Sequence, residues 1–320
     1  MKTSLEALRP FTERDYETYA AFYNRVRPED PVTAERIRHV ETHRQENEYG
    51  GRFLLEENGS IVAATFYTRN MNLLSRQAFL IDIILDPAYR TLDEALYQQL
   101  RGELAKHGPT SLRVRVRETW ERWRTFYDAH GFTESERMWR SVLDLTTFDP
   151  TPFAWAIDKA TAAGITFKRL AELPDNEATR RQLYGTTVEL LRDVPFSEPL
   201  EIWSFETWQK RYWSLPERDP ESHFLAFDGD ELVGASELRK SHRDDRLSTG
   251  LTGVRRAWRR KGVAQALKVQ AAQHAKARGF KAIDTMNHSV NRPMLSINEA
   301  MGFEKEPAWI FLQKELGGKS

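Results

Sequence analysis

Arg259-Arg260-Lys261-Gly262-Val263-Ala264 sets three cations and a glycine between an apolar stretch and a helical one. The stretch ahead of it, Leu247-Ser248-Thr249-Gly250-Leu251-Thr252-Gly253-Val254, reads as a strand. Behind it, Val263, Ala266, Leu267, Gln270, Ala271 and His274 recur at helical spacing, which predicts a helix from about Val263 to Ala277. A glycine and small residues at a helix start let backbone N–H groups approach an anion closely. The helix dipole and flanking cations then favour a phosphate there. Between a strand and a helix, the run reads as a pyrophosphate cradle. A basic helix start is also a common solvated surface, and the pattern is short. Neither a P-loop nor a dinucleotide fingerprint occurs in the chain.

A second run follows the helix. After Gly279-Phe280, Lys281 to Met286 reads as a strand, and Asn287-His288-Ser289-Val290-Asn291-Arg292-Pro293-Met294 leads into a short helix. Asn291 suits an N-cap, and Pro293 in the first turn loses nothing by lacking an N–H. Met294, Leu295, Ile297 and Met301 form the buried stripe, and Gly302 stops the helix. A last strand runs from Ala308 to Leu312.

Strand, phosphate turn, helix, strand, Asn-capped helix and Gly302-Phe303 in this order resemble the GNAT superfamily of N-acetyltransferases. The resemblance implies acetyl-CoA as acyl donor, a primary amine on a small molecule as acceptor, and no metal; the alternatives are another acyl group, a protein lysine as acceptor, or a non-catalytic CoA-binding sensor or scaffold. It places the pantetheine arm along Thr252, Gly253 and Val254, with the N–H near Val254 facing the thioester oxygen. It gives the pyrophosphate to the amides of Arg260, Lys261, Gly262, Val263 and Ala264, with charge from Arg259 and its neighbours Arg255 and Arg256. Asn291 takes the position that contacts the CoA arm, a role compatible with an N-cap. Asn287 lies where the two central strands splay, so its amide reaches either CoA or acceptor. His288 stands at the mouth as a candidate base, or as an ordinary exposed loop histidine. Where many relatives carry the tyrosine that reprotonates the thiolate, this chain has Asn298, and an amide is no acid at neutral pH.

An alkyl ammonium cannot attack until it loses a proton. Glu237, in the otherwise apolar strand Val233-Gly234-Ala235-Ser236-Glu237-Leu238, is the preferred base, because desolvation there would raise its pKa. Asp284 is the second choice. Each is also readable as a strand carboxylate facing solvent. The chain has no cysteine, which removes a thiol nucleophile and favours direct transfer through a ternary complex.

At 320 residues and 40% hydrophobic content, the length favours two domains. Lys+Arg and Asp+Glu balance at 47 each, so no global charge points to nucleic acid or an anionic membrane. No stretch reaches transmembrane length, and a cytoplasmic protein is expected. Turn formers around Thr146 to Pro152 suggest a boundary, giving 1–148 and 149–320. The layout repeats across it, with hairpins at Asn58-Gly59 and Asp228-Gly229-Asp230. The fold class expected is therefore α/β: two tandem GNAT folds, each a mixed, mostly antiparallel twisted sheet with helices on both faces. An active C-terminal copy and Asn-x-x-Met-Leu-x-Ile-Asn-x-x-Met-Gly-Phe make the chain similar to the mycothiol synthase branch.

In the N-terminal copy the turn reads Arg90-Thr91-Leu92-Asp93-Glu94-Ala95, with Asp93 where the other copy has Gly262. A carboxylate there repels a pyrophosphate, so this copy is expected to be degenerate, and Tyr127 a packing residue. In the C-terminal copy, Asp193 and Glu198 are candidates to attract a cationic amine, near the aromatics Trp203, Phe205, Trp208, Tyr212 and Trp213. Trp208 and Tyr212, four apart, fit a core stripe better than a pocket.

Overall fold

A computed structural model describes residues 8–44, 49–69, 77–195, 201–241 and 243–317. It divides into two compact units. The first holds the described residues up to Arg137, Glu201 and those from Trp309 onward; the second holds the described residues of 138–195 and 202–308. No helix among the described residues is long and apolar enough to cross a membrane.

The first unit opens with strand β1 (Leu8–Pro10) and helices α1 (Tyr16–Val26) and α2 (Ala34–Thr42). The strands β2 (Gly50–Glu57) and β3 (Ser60–Arg69) form a hairpin, with Asn58 and Gly59 both at positive φ as its turn requires. Then come β4 (Ala78–Leu85), α3 (Asp93–Ala105), β5 (Ser111–Arg117) and α4 (Glu121–Ala129). Alternation along β2 sends Leu54 to the α1/α2 side and Leu55 to the α3/α4 side, so both sheet faces are covered by helices. β6 (Thr133–Asp144) starts in this unit and ends in the other.

In the second unit α5 (Ala154–Ala162) precedes β7 (Ile165–Arg169), α6 (Glu177–Leu191) and α7 (Phe205–Trp208), which runs on into a π-helical turn at Gln209–Trp213. β8 (Arg218–Asp228) and β9 (Glu231–Lys240) make the second hairpin, followed by β10 (Arg246–Val254), α8 (Val263–Ala277), β11 (Ala282–His288), α9 (Arg292–Ala300) and the short β12 (Glu304–Lys305). Phe224 and Ala226 pack on the α8 side of β8, while Leu225 and Phe227 pack with Leu183, Phe205 and Trp208 on the other. Trp208 is thus core, as its spacing suggested.

The last strands depart from the expected order. Met138 to Asp144 of β6 pair antiparallel with β11, not with the N-terminal copy. The chain's final strand, β13 (Trp309–Glu315), pairs antiparallel with β5. Each unit is therefore closed by the strand that the sequence order assigns to the other. The 148/149 boundary does not describe these strands. Both follow a Gly-Phe helix end and have comparable apolar alternation, so local pattern does not specify which partner edge they take.

Candidate functional site

The site begins where two parallel strands separate. β10 and β11 pair only at Arg246–Ala282, Leu247–Ile283 and Ser248–Asp284. Beyond these, the described residues of β10 have a partner strand only on the β9 side, where Thr249 faces Leu238 and Thr252 faces Ser236. Three steps on β10 therefore match two on β9, a bulge centred on Gly250 and Leu251. Backbone groups turned toward the gap need a partner from elsewhere. Thr252 anchors the bulge through its hydroxyl, 2.9 Å from that of Ser236. Gly253 lacks a side chain where Leu190 of α6 crowds it, since a Cβ would lie 3.0 Å from Leu190 Cδ2.

Val254 ends the strand, and Arg259 Nε donates to its carbonyl at 2.9 Å. Arg260 and Gly262 have φ of 61° and 81° and turn the chain into α8. Gly262 is the N-cap and offers no side chain to the first helical amides, so those of Val263 and Ala264 have no side-chain cap. Arg260 and Lys261 carry no ion pair among the described residues. An uncapped helix start beside two such cations suits a pyrophosphate. Together with the unpaired edge of β10, these residues fit the CoA moiety that the resemblance implies.

Gly262 has a second reason to be glycine. A Cβ there would lie 2.8 Å from the carbonyl oxygen of Ala156 on α5, besides requiring a left-handed backbone of a non-glycine residue. Its identity thus reports packing as much as anion binding.

Several candidate side chains are already engaged. Asp193 accepts from Arg256 Nε at 3.0 Å and pairs with Arg259, and these arginines, Arg256 first, hold its carboxyl below the ordinary range. It therefore neutralises cations of the phosphate turn and is not a free partner for an ammonium. Glu198 lies outside the described residues. Asn291 caps α9, accepting from the Met294 amide at 3.4 Å. Asn287, on the other lip of the gap, accepts from Asn298 Nδ2 at 2.7 Å, and Asn298 itself is buried. His288 sits at the end of β11, where its Nδ1 accepts from the Val290 amide at 3.2 Å. Asp284 accepts from the Ser248 hydroxyl at 2.8 Å and has Arg140 at 3.6 Å.

Glu237 is placed at the bulge, as expected, but its environment differs. A Cβ on Gly250 would fall 2.2 Å from Glu237 Oε2, so only glycine lets the carboxylate reach β10 this closely. Tyr212 donates to Oε1 at 2.8 Å and Arg239 to Oε2 at 2.7 Å. Burial is the largest influence on Glu237 and opposes its charge, yet the Arg239 charge and the hydrogen bonds from Arg239 and Tyr212 act against it, and the pKa falls below the ordinary value. The expectation of a raised pKa is corrected. Strand alternation alone puts Arg239 on the same face as Glu237, a signal present in the sequence; Tyr212 and His223 reach it only through the fold.

The N-terminal copy has the same splay, with β4 and β5 pairing only from Ala78–Ser111 to Leu80–Arg113. Its gap is filled. Arg27 pairs with both oxygens of Asp82, the residue at the register of Gly250, and donates to the Ile83 carbonyl at 3.0 Å. Asp93 is the first residue of α3 and pairs with Arg122, while Glu94 meets His130 at 2.9 Å. Tyr127 is buried against Trp123 and Phe132. A cleft of about 320 Å³ beside α6 and β9 is lined by Arg181, Glu189, Glu231 and Arg255, among others, and includes none of the residues at the bulge. Arg255 there is paired with Glu189 and Glu231.

The model of the Acetyltransferase (GNAT) family matches residues 187–303, from the end of α6 through Phe303. Residues 187–303 thus match a GNAT acetyltransferase domain. Acyl transfer is the chemistry of that family, and the matched segment contains the bulge, the phosphate turn, Asn287, Asn291 and Asn298. The fold is similar over its whole length to that of a GCN5-related N-acetyltransferase from Sphaerobacter thermophilus, at 19% identity, covering 96% of this chain and 95% of that one with a TM-score of 0.70. It is also similar to a tandem GNAT protein from the clavulanic acid biosynthesis pathway, at 18% identity, covering 98% and 99% with a TM-score of 0.73. These likenesses establish two tandem GNAT folds. No curated protein matches the sequence.

Proposed function

We propose that the chain is an acetyl-CoA-dependent N-acetyltransferase with one working site, in the second unit, acting by direct transfer to a primary amine. The observation that carries this reading is the unpaired, bulged edge of β10 ending in an uncapped helix start with free cations. When bound, acetyl-CoA supplies an activated thioester. Thr252, Gly253 and Val254 hold the pantetheine arm by main-chain hydrogen bonds, and Arg260 to Ala264 hold the pyrophosphate, with Arg259 near by. The Val254 N–H stabilises developing negative charge on the carbonyl oxygen, a type of donor worth roughly 3 kcal/mol when removed. Asn287 and Asn291 line the opposite lip.

Glu237 reaches the reacting strand as a clamped, ionised carboxylate. It orients the amine and does not store its proton, so the amine loses that proton to solvent. Turnover then rises with pH until the amine is neutral. His288 at the mouth contacts the acceptor. The N-terminal gap, filled by Arg27 and Asp82, takes no CoA.

A second reading, a CoA-binding protein without turnover, is favoured by Asn298: it holds Asn287 where relatives place an acid. Incubation of the full chain with acetyl-CoA and a panel of amines, following thiol release and acetylated product by mass, separates the two. Product from any amine establishes catalysis. Binding of acetyl-CoA without product from any amine supports the second reading, and no binding removes both.

A further inference from the structure

On the face of β8 and β9 that packs against α6 and α7, apolar residues give way to a polar island. Leu225, Phe227, Leu232 and Ala235 meet Leu183, Phe205 and Trp208 there. Next to them, His223 stands opposite Glu237 across the two strands, and Arg218 opposite Arg239. Tyr212 and Arg239 both donate to Glu237. His223 is 3% exposed and Glu237 1%.

The charges in the island do not balance. Burial pushes His223 down to about 4, and burial with the Glu237 charge raises the Tyr212 phenol well above its usual value, so both are neutral. Two guanidiniums then face one carboxylate. Among the described residues Arg218 forms no ion pair: Asp175, which acts on it besides Glu237, is paired with Arg180 at 2.7 Å, and Arg218 donates to the Trp213 carbonyl at 2.6 Å and lies 3.7 Å over the Trp213 ring. Its Nε, Arg239 Nε and His223 Nδ1 are all buried without a hydrogen-bond partner. Unpaired buried donors around a surplus cation are costly, and an anion brought by a ligand would satisfy them.

The island also has a way out. Gly250 leaves room where a Cβ would lie 3.0 Å from Arg239 Nε, and the Arg239 side chain keeps 29% of its surface exposed. It therefore reaches the bulge of β10, where the amine must approach.

We propose that the acceptor carries a carboxylate as well as its amine, and that Arg239 and Arg218 bind this carboxylate beside Gly250, with His223 as a further donor. The proposal rests on the transfer reading for the same site. A monoanion balances the surplus charge, whereas a phosphate dianion would leave excess negative charge against Glu237. The acceptor is then a small amino acid or similar zwitterion. A lysine within a protein chain, whose carboxylate is spent in a peptide bond, is disfavoured.

The test uses matched product-like probes on the full chain, which need no turnover. N-acetylglycine and N-acetyl-L-phenylalanine are titrated against their carboxamides, with and without CoA, by ligand-observed NMR and thermal denaturation. At least one carboxylate should bind about tenfold or more tighter than its amide, as expected for hydrogen bonds to a charged group. Arg239→Gln should abolish the preference and Arg239→Lys should keep part of it. Equal binding of both members, or no binding of either, overturns the proposal on the wild-type protein alone, whether or not the variants fold. Tighter binding of N-acetyl-phosphoethanolamine overturns the carboxylate assignment. Acetyl-CoA binding, measured on the same samples, decides the transfer reading separately.

Discussion

Asp193→Asn should tighten acetyl-CoA binding. Asp193 is held by Arg256 and Arg259, so a phosphate arriving at that turn must compete with an internal carboxylate. The Arg256 side chain is 75% exposed and that of Arg259 42%, so solvent screens both pairs. The Arg256 pair is too exposed to count, and a pair such as Arg259–Asp193 is worth roughly 0.2–1 kcal/mol of competition. The dissociation constant should fall by up to about fivefold. An asparagine keeps the shape and one acceptor oxygen, so the local backbone should stay. Isothermal calorimetry at low and high salt reads the effect, which should shrink as salt screens the competitor. Unchanged or weaker binding would refute the argument, because these arginines would then not meet the phosphates, or would need Asp193 to hold them in place.

Other perturbations test the packing around the site. Gly262→Ala should cost about 2–4 kcal/mol, from the left-handed backbone and the overlap with Ala156, read as a lower urea midpoint; an unchanged midpoint would remove the packing argument. Lys268, buried on α8 with Phe303 4.8 Å away, has its pKa lowered by burial to about 8. Below pH 8 its charge is carried at a cost, and stability returns as pH rises from about 8 to the unfolded value near 10.4. Lys268→Met should therefore stabilise by up to about 3 kcal/mol at pH 7, with the gain vanishing toward pH 10.4. His223 should act in the acid range: its folded pKa of about 4 lies below the unfolded 6.5, so its contribution is complete above pH 6.5 and is lost as pH falls through 4. His223→Gln should flatten that part of the unfolding profile, and an unaltered acid limb would show that the imidazole is not buried as described.

What was readable in the sequence divides by range. The β10 strand, the helix from Val263 and the Asn291-capped helix were legible because periodicity, glycine and capping residues act within a few positions of one another. The hairpins at Asn58-Gly59 and Asp228-Gly229 were legible for the same reason. The closing strands were not, since Met138–Asp144 and Trp309–Glu315 have similar alternation and only long-range pairing decides their partners. Asp193 could not be matched to Arg256 and Arg259 in advance, because they lie more than sixty residues apart. Glu237 was located, but whether desolvation or Arg239 controls its pKa depends on distances that spacing does not supply. Lys268 is outside the recurring positions Val263, Ala266, Leu267, Gln270, Ala271 and His274, so the pattern carries no sign that its ammonium is buried.

The most direct measurement is a calorimetric titration of the full chain with acetyl-CoA, beside an Arg260→Glu/Lys261→Glu variant. Among the described residues these two side chains have no ion-pair partner, so reversing their charge should spare the fold. One site per chain is expected, with a loss of at least tenfold in affinity in the variant. Two sites, no site, or an unaffected variant would contradict that expectation.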